Sequence, residues 1–267
     1  MIKLLNRITG LAFMLSPLII AAQDAKPWNG RQAAVVITYD DGYAQQLDNA
    51  LPLLDSLGLK ATFYLSAYFP AVKDRLPEWK QAALRGHELG NHTLYHPCAS
   101  GQGREWVSPD YDLRNYTVKR ITDEIRMTNV FLQTIDGKTQ RTFAFTCGDK
   151  KVQDSSFIEG MKKDFIAARS VHSALSTVSG TDLYNVNCFM VNNHTATQMT
   201  DWVKKAIETG SLLVILFHGV GGGNSLDVSL EDHRKFLEYL RQEQDKIWIA
   251  PMVTVASYLR DIQNSQK

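Results

Sequence analysis

Along the chain, short runs that are apolar at nearly every position alternate with longer segments whose apolar positions recur every three or four residues. Ala33–Tyr39, Lys60–Leu65, Glu88–His92, Thr142–Thr146, Ile166–Val171, Leu212–Phe217 and Ile247–Pro251 are short and strand-like. Helical spacing marks Tyr43–Leu57, through Leu47, Ala50, Leu51 and Leu54, and Thr117–Ile135, through Ile121, Ile125, Val130 and Leu132. Further helices are expected at Glu78–Arg85, around Phe157–Asp164, and at Thr200–Glu208, Leu230–Arg241 and Val253–Ile262. Strands that are apolar throughout are buried on both faces, as parallel strands are. The repeated strand–helix order therefore predicts a parallel sheet covered by helices, either a barrel or an open doubly wound sheet.

The 267 residues, 44% of them hydrophobic, are enough for a single domain with one substantial core. A net charge of +1 with mixed signs carries no electrostatic footprint for nucleic acid, and no polybasic run points to a membrane surface. The N-terminus changes the picture more. Lys3 and Arg7 precede an apolar run from Leu11 to Ile20, followed by Ala21, Ala22 and the polar Gln23-Asp24. That order reads as a signal peptide over residues 1–22, leaving a catalytic domain over 23–267 that is secreted or periplasmic. A retained anchor is the competing reading, but the run contains Pro17 and is short for a bilayer, and no junction cysteine suggests a lipid. No stable membrane anchor is therefore expected after removal. Of Cys98, Cys147 and Cys188, at least one must lack an intrachain partner; one disulfide or three small buried residues both fit.

Candidate chemistry falls at the carboxyl ends of three expected strands, the edge where ligands collect in barrels and open α/β sheets alike. Thr38-Tyr39-Asp40-Asp41-Gly42 ends an apolar strand with two adjacent carboxylates. Neighbouring side chains on extended backbone diverge, so one can bind a metal while the other faces substrate; a helix-capping aspartate is the plainer alternative. In Asn91-His92-Thr93-Leu94-Tyr95-His96-Pro97, His92 and His96 share a face if the segment makes a helical turn. With Asp41 they form a two-histidine, one-carboxylate set that leaves coordination positions open. His87 is assigned to packing or hydrogen bonding. In Leu213–Val220, His218 stands at the tip of a buried strand, followed by glycines, placed either to act as an acid or as a satisfied strand-end residue. The longest irregular stretch, Pro97–Asn115, carries aromatics with Tyr116 just beyond it; they either stack on sugar rings or pack on the rim.

Taken together, Thr38–Gly42, Gly86–His92 through His96, and Leu216–Gly219 resemble the polysaccharide deacetylase family, the NodB-homology or carbohydrate esterase 4 group, over roughly residues 33–262. The resemblance implies a distorted (β/α) barrel of seven to eight strands, an α/β fold in a single NodB-like domain. It implies a metal triad of Asp41, His92 and His96, with Asp40 as general base and His218 as general acid. The implied enzyme holds one divalent ion, zinc by default with cobalt or nickel acceptable, and removes N-acetyl or O-acetyl groups from an acetylated carbohydrate. The turn at Cys147–Gly148 is the expected source of a backbone N–H for the oxyanion.

The sequence departs from the family in Thr142–Gly148, where Ala144 stands in place of the motif arginine. Arg169, at the end of the next strand, is the candidate replacement, and Asp149 and Asp182 are candidate partners for His218. The missing arginine favours a carbohydrate-binding relic; a deacylase of a small non-sugar amide is a third reading.

Overall fold

The computed structural model describes residues 26–101 and 103–265; the expected signal segment over residues 1–22 lies outside the described residues. β1 (Ala33–Asp41) is the axis of the fold, with all nine residues buried. A π-helical turn (Gln46–Ala50) leads into α1 (Leu51–Ser56). There follow β2 (Thr62–Leu65), α2 (Pro70–Lys73), α3 (Leu76–Leu84), β3 (Glu88–Asn91), α4 (Val118–Asp136) and β4 (Phe143–Ala144). A small hairpin, β5 (Lys151–Val152) and β6 (Ser155–Ser156), precedes α5 (Ile158–Met161), β7 (Ala168–Arg169) and β8 (Phe189–Met190). α6 (Ala196–Thr209), β9 (Leu212–Phe217), α7 (Leu230–Gln242), β10 (Ile247–Ile249) and α8 (Met252–Ser265) complete the chain.

The main sheet runs β7-β4-β3-β2-β1-β9-β8, and every pairing is parallel. β10 pairs with the first residues of β1, below the point where β2 begins to pair. A parallel bridge between Arg169 and Val186 joins β7 to the segment leading into β8, so the pairing returns on itself. The result is a distorted (β/α) barrel rather than an open sheet, as expected.

Alternation along β1 divides the core. Val35, Ile37 and Tyr39 pack with Phe63, Trp79, Leu213, Ile215 and Phe236 under the helices, whereas Ala34 and Val36 pack with Trp28, Val214, Leu216 and Met252. Full burial of each large aliphatic side chain contributes roughly 1.5–3 kcal/mol. Inside the barrel the buried Glu88 carboxylate accepts from Thr62 Oγ1, Thr142 N and Oγ1, and Val253 N, each at 2.8 Å. The last donor is a first-turn amide of α8, an orphan group that a carboxylate satisfies well.

Helix ends follow local signals in the sequence. Thr117 caps α4 and Gly137 stops it in the left-handed region; Thr195 and Gln198 form a capping box on α6. The expected strands over 142–146 and 166–171 shrink to two residues each, because Thr146–Gly148 is a 3₁₀ turn and pairing is interrupted beyond Arg169. The two-residue β8 and the β5–β6 hairpin were not expected; elements that short carry no periodicity.

Candidate metal centre

β1 ends in Asp40 and Asp41, and Asp41 adopts φ +76°, so the two carboxylates do not diverge as an extended strand would make them. The turn swings Asp41 back toward the barrel mouth, with Asp40 Oδ2 3.7 Å and Asp41 Oδ1 3.4 Å from His92 Nε2. Gly42 continues the turn at φ +85°, where a Cβ would come within 2.4 Å of Val72. This is a position only glycine fits.

His92 and His96 are not on a helical turn. Asn91 Oδ1 accepts from Thr93 N and Thr93 Oγ1 accepts from His96 N, both at 2.9 Å, and Thr93 and His96 adopt φ +67° and +57°. Side-chain caps thus replace the helical ladder, and the imidazoles still converge, with ring centroids 4.9 Å apart. His96 Nε2 lies 3.2 Å from Asp41 Oδ1. One ligand atom from each of Asp41, His92 and His96 lies within 4.8 Å of the others. Ligands about 2.1 Å from a tetrahedral ion stand ~3.4 Å apart, so the spacing around Asp41 Oδ1 suits a cation. His92 Nδ1 bonds Ala144 O at 2.9 Å; donating that proton leaves Nε2 its lone pair.

Burial raises the Asp41 carboxyl, but the facing His96 and His92 hold it well below its ordinary value. Burial works against charge on His96, yet Asp41 raises its pKa overall. Protons and a cation therefore compete for one spot.

Arg169, fully buried, donates to Asp40 Oδ2 and, at 2.9 Å, to Ser170 O. In register it sits directly beside Ala144 across the β4–β7 pair, so the charge missing from one strand is supplied from its neighbour. Asp40 Oδ1 is buried and, among the described residues, accepts no hydrogen bond. Gln46 Nε2 donates to both Asp40 O and His218 O, tying the ends of β1 and β9 together. The His218 imidazole faces Asp40 and Asp41; burial lowers its pKa against the pull of those charges.

Neither aspartate suggested for His218 serves it: Asp149 pairs with Arg104 at 2.7 Å and Asp182 caps Tyr184 N. Gly148 N donates to Phe145 O, committing that amide to the turn. Cys98 and Cys147 form a disulfide, and Cys188 is free and buried. Tyr116 is buried beneath Arg120 and is a packing residue, whereas Trp106 is 65% exposed. Sequence reasoning passed over Tyr43, whose hydroxyl accepts from Asn224 Nδ2 at 2.6 Å. Burial and the facing Asp41 charge keep that phenol protonated. Its position directly after Gly42 was the available signal. It also passed over Tyr68 and Tyr95, edge to face at 5.2 Å, with Tyr95 stacked on Tyr111.

A parallel barrel with an imidazole–carboxylate cluster at its carboxyl-end mouth defines the general class of site. The polysaccharide deacetylase family model matches residues 29–163, just over half of the 267. The chain belongs to that family. It is 27% identical over 106 residues to the peptidoglycan-N-acetylmuramic acid deacetylase PdaA of Bacillus subtilis, covering 39% of each chain. It is 26% identical over 144 residues to a chitin deacetylase of Pestalotiopsis sp, covering 48% of this chain and 44% of that one. Both alignments thus span less than half of the relative's length. The solved structure of the peptidoglycan N-acetylglucosamine deacetylase Bc1960 superposes with a TM-score of 0.59 at 19% identity, covering 86% of this chain and 89% of that one. At that identity the likeness concerns the fold.

Proposed function

We propose that the chain is an exported, metal-dependent hydrolase that removes acetyl groups from a carbohydrate, as N-acetyl from amino sugars or O-acetyl from a xylan-type polysaccharide. The observation that carries the reading is the convergence of Asp41 Oδ1 with the Nε2 atoms of His92 and His96, beside the separately held Asp40. Asp41, His92 and His96 would hold a divalent cation, which when bound would supply a Lewis acid toward water and the acetyl carbonyl; zinc suits the donor set, as do cobalt and nickel.

Asp40 takes the proton of the attacking water on its free Oδ1, while Arg169 holds the other oxygen and fixes the carboxylate's orientation. The backbone N–H of Cys147, in the turn beside His96, is the donor for the oxyanion. His218, across the mouth, gives a proton to the departing amine or alcohol. The missing motif arginine was the feature favouring a binding relic, and Arg169 supplies that charge to Asp40. Among the described residues no helix is long and apolar enough to cross a membrane. The export reading rests on the N-terminal pattern of residues 1–22.

Acetate release from acetylated xylan and from chitooligosaccharides, with metal stripped and then restored, tests the proposal. Release that returns with zinc or cobalt and vanishes in Asp41→Ala supports it and identifies the bond. Absence of acetate from both substrates despite stoichiometric metal counts against it.

A further inference from the structure

His96 stands between two sets of potential ligands. Its Nε2 faces Asp41, and its Nδ1 lies 3.6 Å from Cys98 Sγ. The Cys98–Cys147 disulfide ties the loop carrying His96 to the Thr146–Gly148 turn. One ligand atom from each of His96, Cys98 and Cys147 lies within 4.8 Å of the others, the two sulfurs being bonded to each other. Bonded to each other, the sulfurs are poor ligands; as thiolates they are strong ones for a soft or borderline cation.

We propose that reduction of Cys98–Cys147 creates a second metal site, made of both sulfurs and His96 Nδ1, so that the disulfide decides which ligand set holds the cation. A phosphine reductant supplies two electrons and becomes its oxide by taking oxygen from water. The disulfide takes the electrons and two protons to give two thiols, and both protons leave when a divalent ion binds.

The backbone on either side is anchored independently of the sulfurs. Cys98 N donates to Tyr111 O and Leu113 N to Cys98 O, while Gly148 N donates to Phe145 O. The thiols therefore stay close together after reduction. Cys188 is not part of this cluster; its sulfur contacts Arg169 and Ser170 O. Because His96 is shared, filling the thiolate site disturbs the Asp41 set; this half of the inference rests on the proposed role of that set.

The probe is cobalt(II), added to metal-free protein in its oxidised and phosphine-reduced forms. The reduced chain is expected to take up cobalt with a thiolate-to-cobalt charge-transfer absorption that the oxidised chain lacks. That absorption should vanish in the reduced Cys98→Ser, Cys147→Ser double variant. Cobalt bound to the reduced wild type without the absorption overturns the inference. So does a band that survives in the double variant, or one that appears only with loss of the native circular dichroism. If the oxidised chain takes up no cobalt, the Asp41 reading fails, and the thiolate band alone decides this proposal.

Discussion

His87 and His92 bracket β3, one at each end, and each faces an aspartate. At the amino end His87 Nε2 lies 3.1 Å from Asp55 Oδ1, and its Nδ1 accepts from Ala61 N at 3.1 Å. Asp55 also pairs with Arg85 at 2.6 Å and Lys60 at 3.3 Å. Every ring nitrogen and both carboxylate oxygens there have a partner. At the carboxyl end, the His92 lone pair and Asp41 Oδ1 face each other 3.4 Å apart, two acceptors with no donor of their own between them. Satisfied polar groups stabilise a fold. Acceptors arranged around a common point instead leave a place for a proton or a cation. The same residue types are thus structural at one end of a strand and chemical at the other.

Exchanging the aspartates should break the comparison most sharply. Asp41→Ala is expected to abolish metal binding and to lower kcat/KM on the order of 10³-fold, corresponding to several kcal/mol of lost Lewis-acid stabilisation. Asp55→Ala should leave metal stoichiometry and kcat/KM within about twofold while lowering the unfolding midpoint by about 1 kcal/mol equivalent. Metal analysis and steady-state kinetics on both variants decide it.

Arg169→Met removes one partner of a buried pair and strands the Asp40 charge. A loss of about 3–5 kcal/mol in denaturant unfolding is expected. In whatever fraction folds, activity should fall with metal content retained, which separates Arg169 from the ligands.

Acidification should sharpen the contrast without any substitution. Burial lowers His87 from 6.5 to about 4 and His233 from 6.5 to about 3. Between those values and 6.5 the unfolded chain binds protons that the folded chain refuses. Stability therefore falls as pH drops from about 6.5 toward 4, on the order of 3 kcal/mol for each histidine. The Asp55 carboxyl, lowered against burial by His87, Lys60 and Arg85, adds a loss in the same direction at lower pH. Over the neutral range metal affinity should also weaken on acidification, because the raised His96 pKa puts a proton in competition with the cation. Unfolding curves and metal titrations from pH 4 to 8 give both slopes.

Among substitutions at the candidate centre, Tyr43→Phe should have the smallest effect, about tenfold in metal affinity or kcat with unchanged unfolding, since it removes a hydroxyl beside Asp41 and no buried volume. An effect no larger than experimental scatter would make Tyr43 a packing residue.

Much of the barrel was legible because the long strands β1 and β9 are apolar on both faces and the longer helices carry apolar positions every three or four residues; α4, α6 and α7 also have side-chain caps, at Thr117, Thr195 and Ser229. Where side chains lie within a few residues of one another, at Asp40 and Asp41 or at His92 and His96, spacing alone raised them as candidates. The geometry that joins them was misread: the turn at Asp41 and the side-chain caps at Thr93 are left-handed, and no periodicity signals such residues. β8 was illegible because two residues cannot show an alternation.

The order of strands and helices, the carboxylates at the end of β1 and the histidine pair are properties of the sequence, set by local pattern and by covalent neighbours. Three contacts were decided by the tertiary structure, and for one of them, the Arg169–Asp40 pair, the sequence offered only a candidate. Arg169 reaches Asp40 across 129 positions, Cys98 bonds Cys147 across 49, and Gln46 links the tips of β1 and β9. Arg169 on β7 needs the sheet to curl before it meets Asp40 on β1, whereas the other two need only neighbouring strands to pair, β3 with β4 and β1 with β9. Direct contacts act over a few ångströms, and the intervening chain is free to place the partners anywhere until the strands pair.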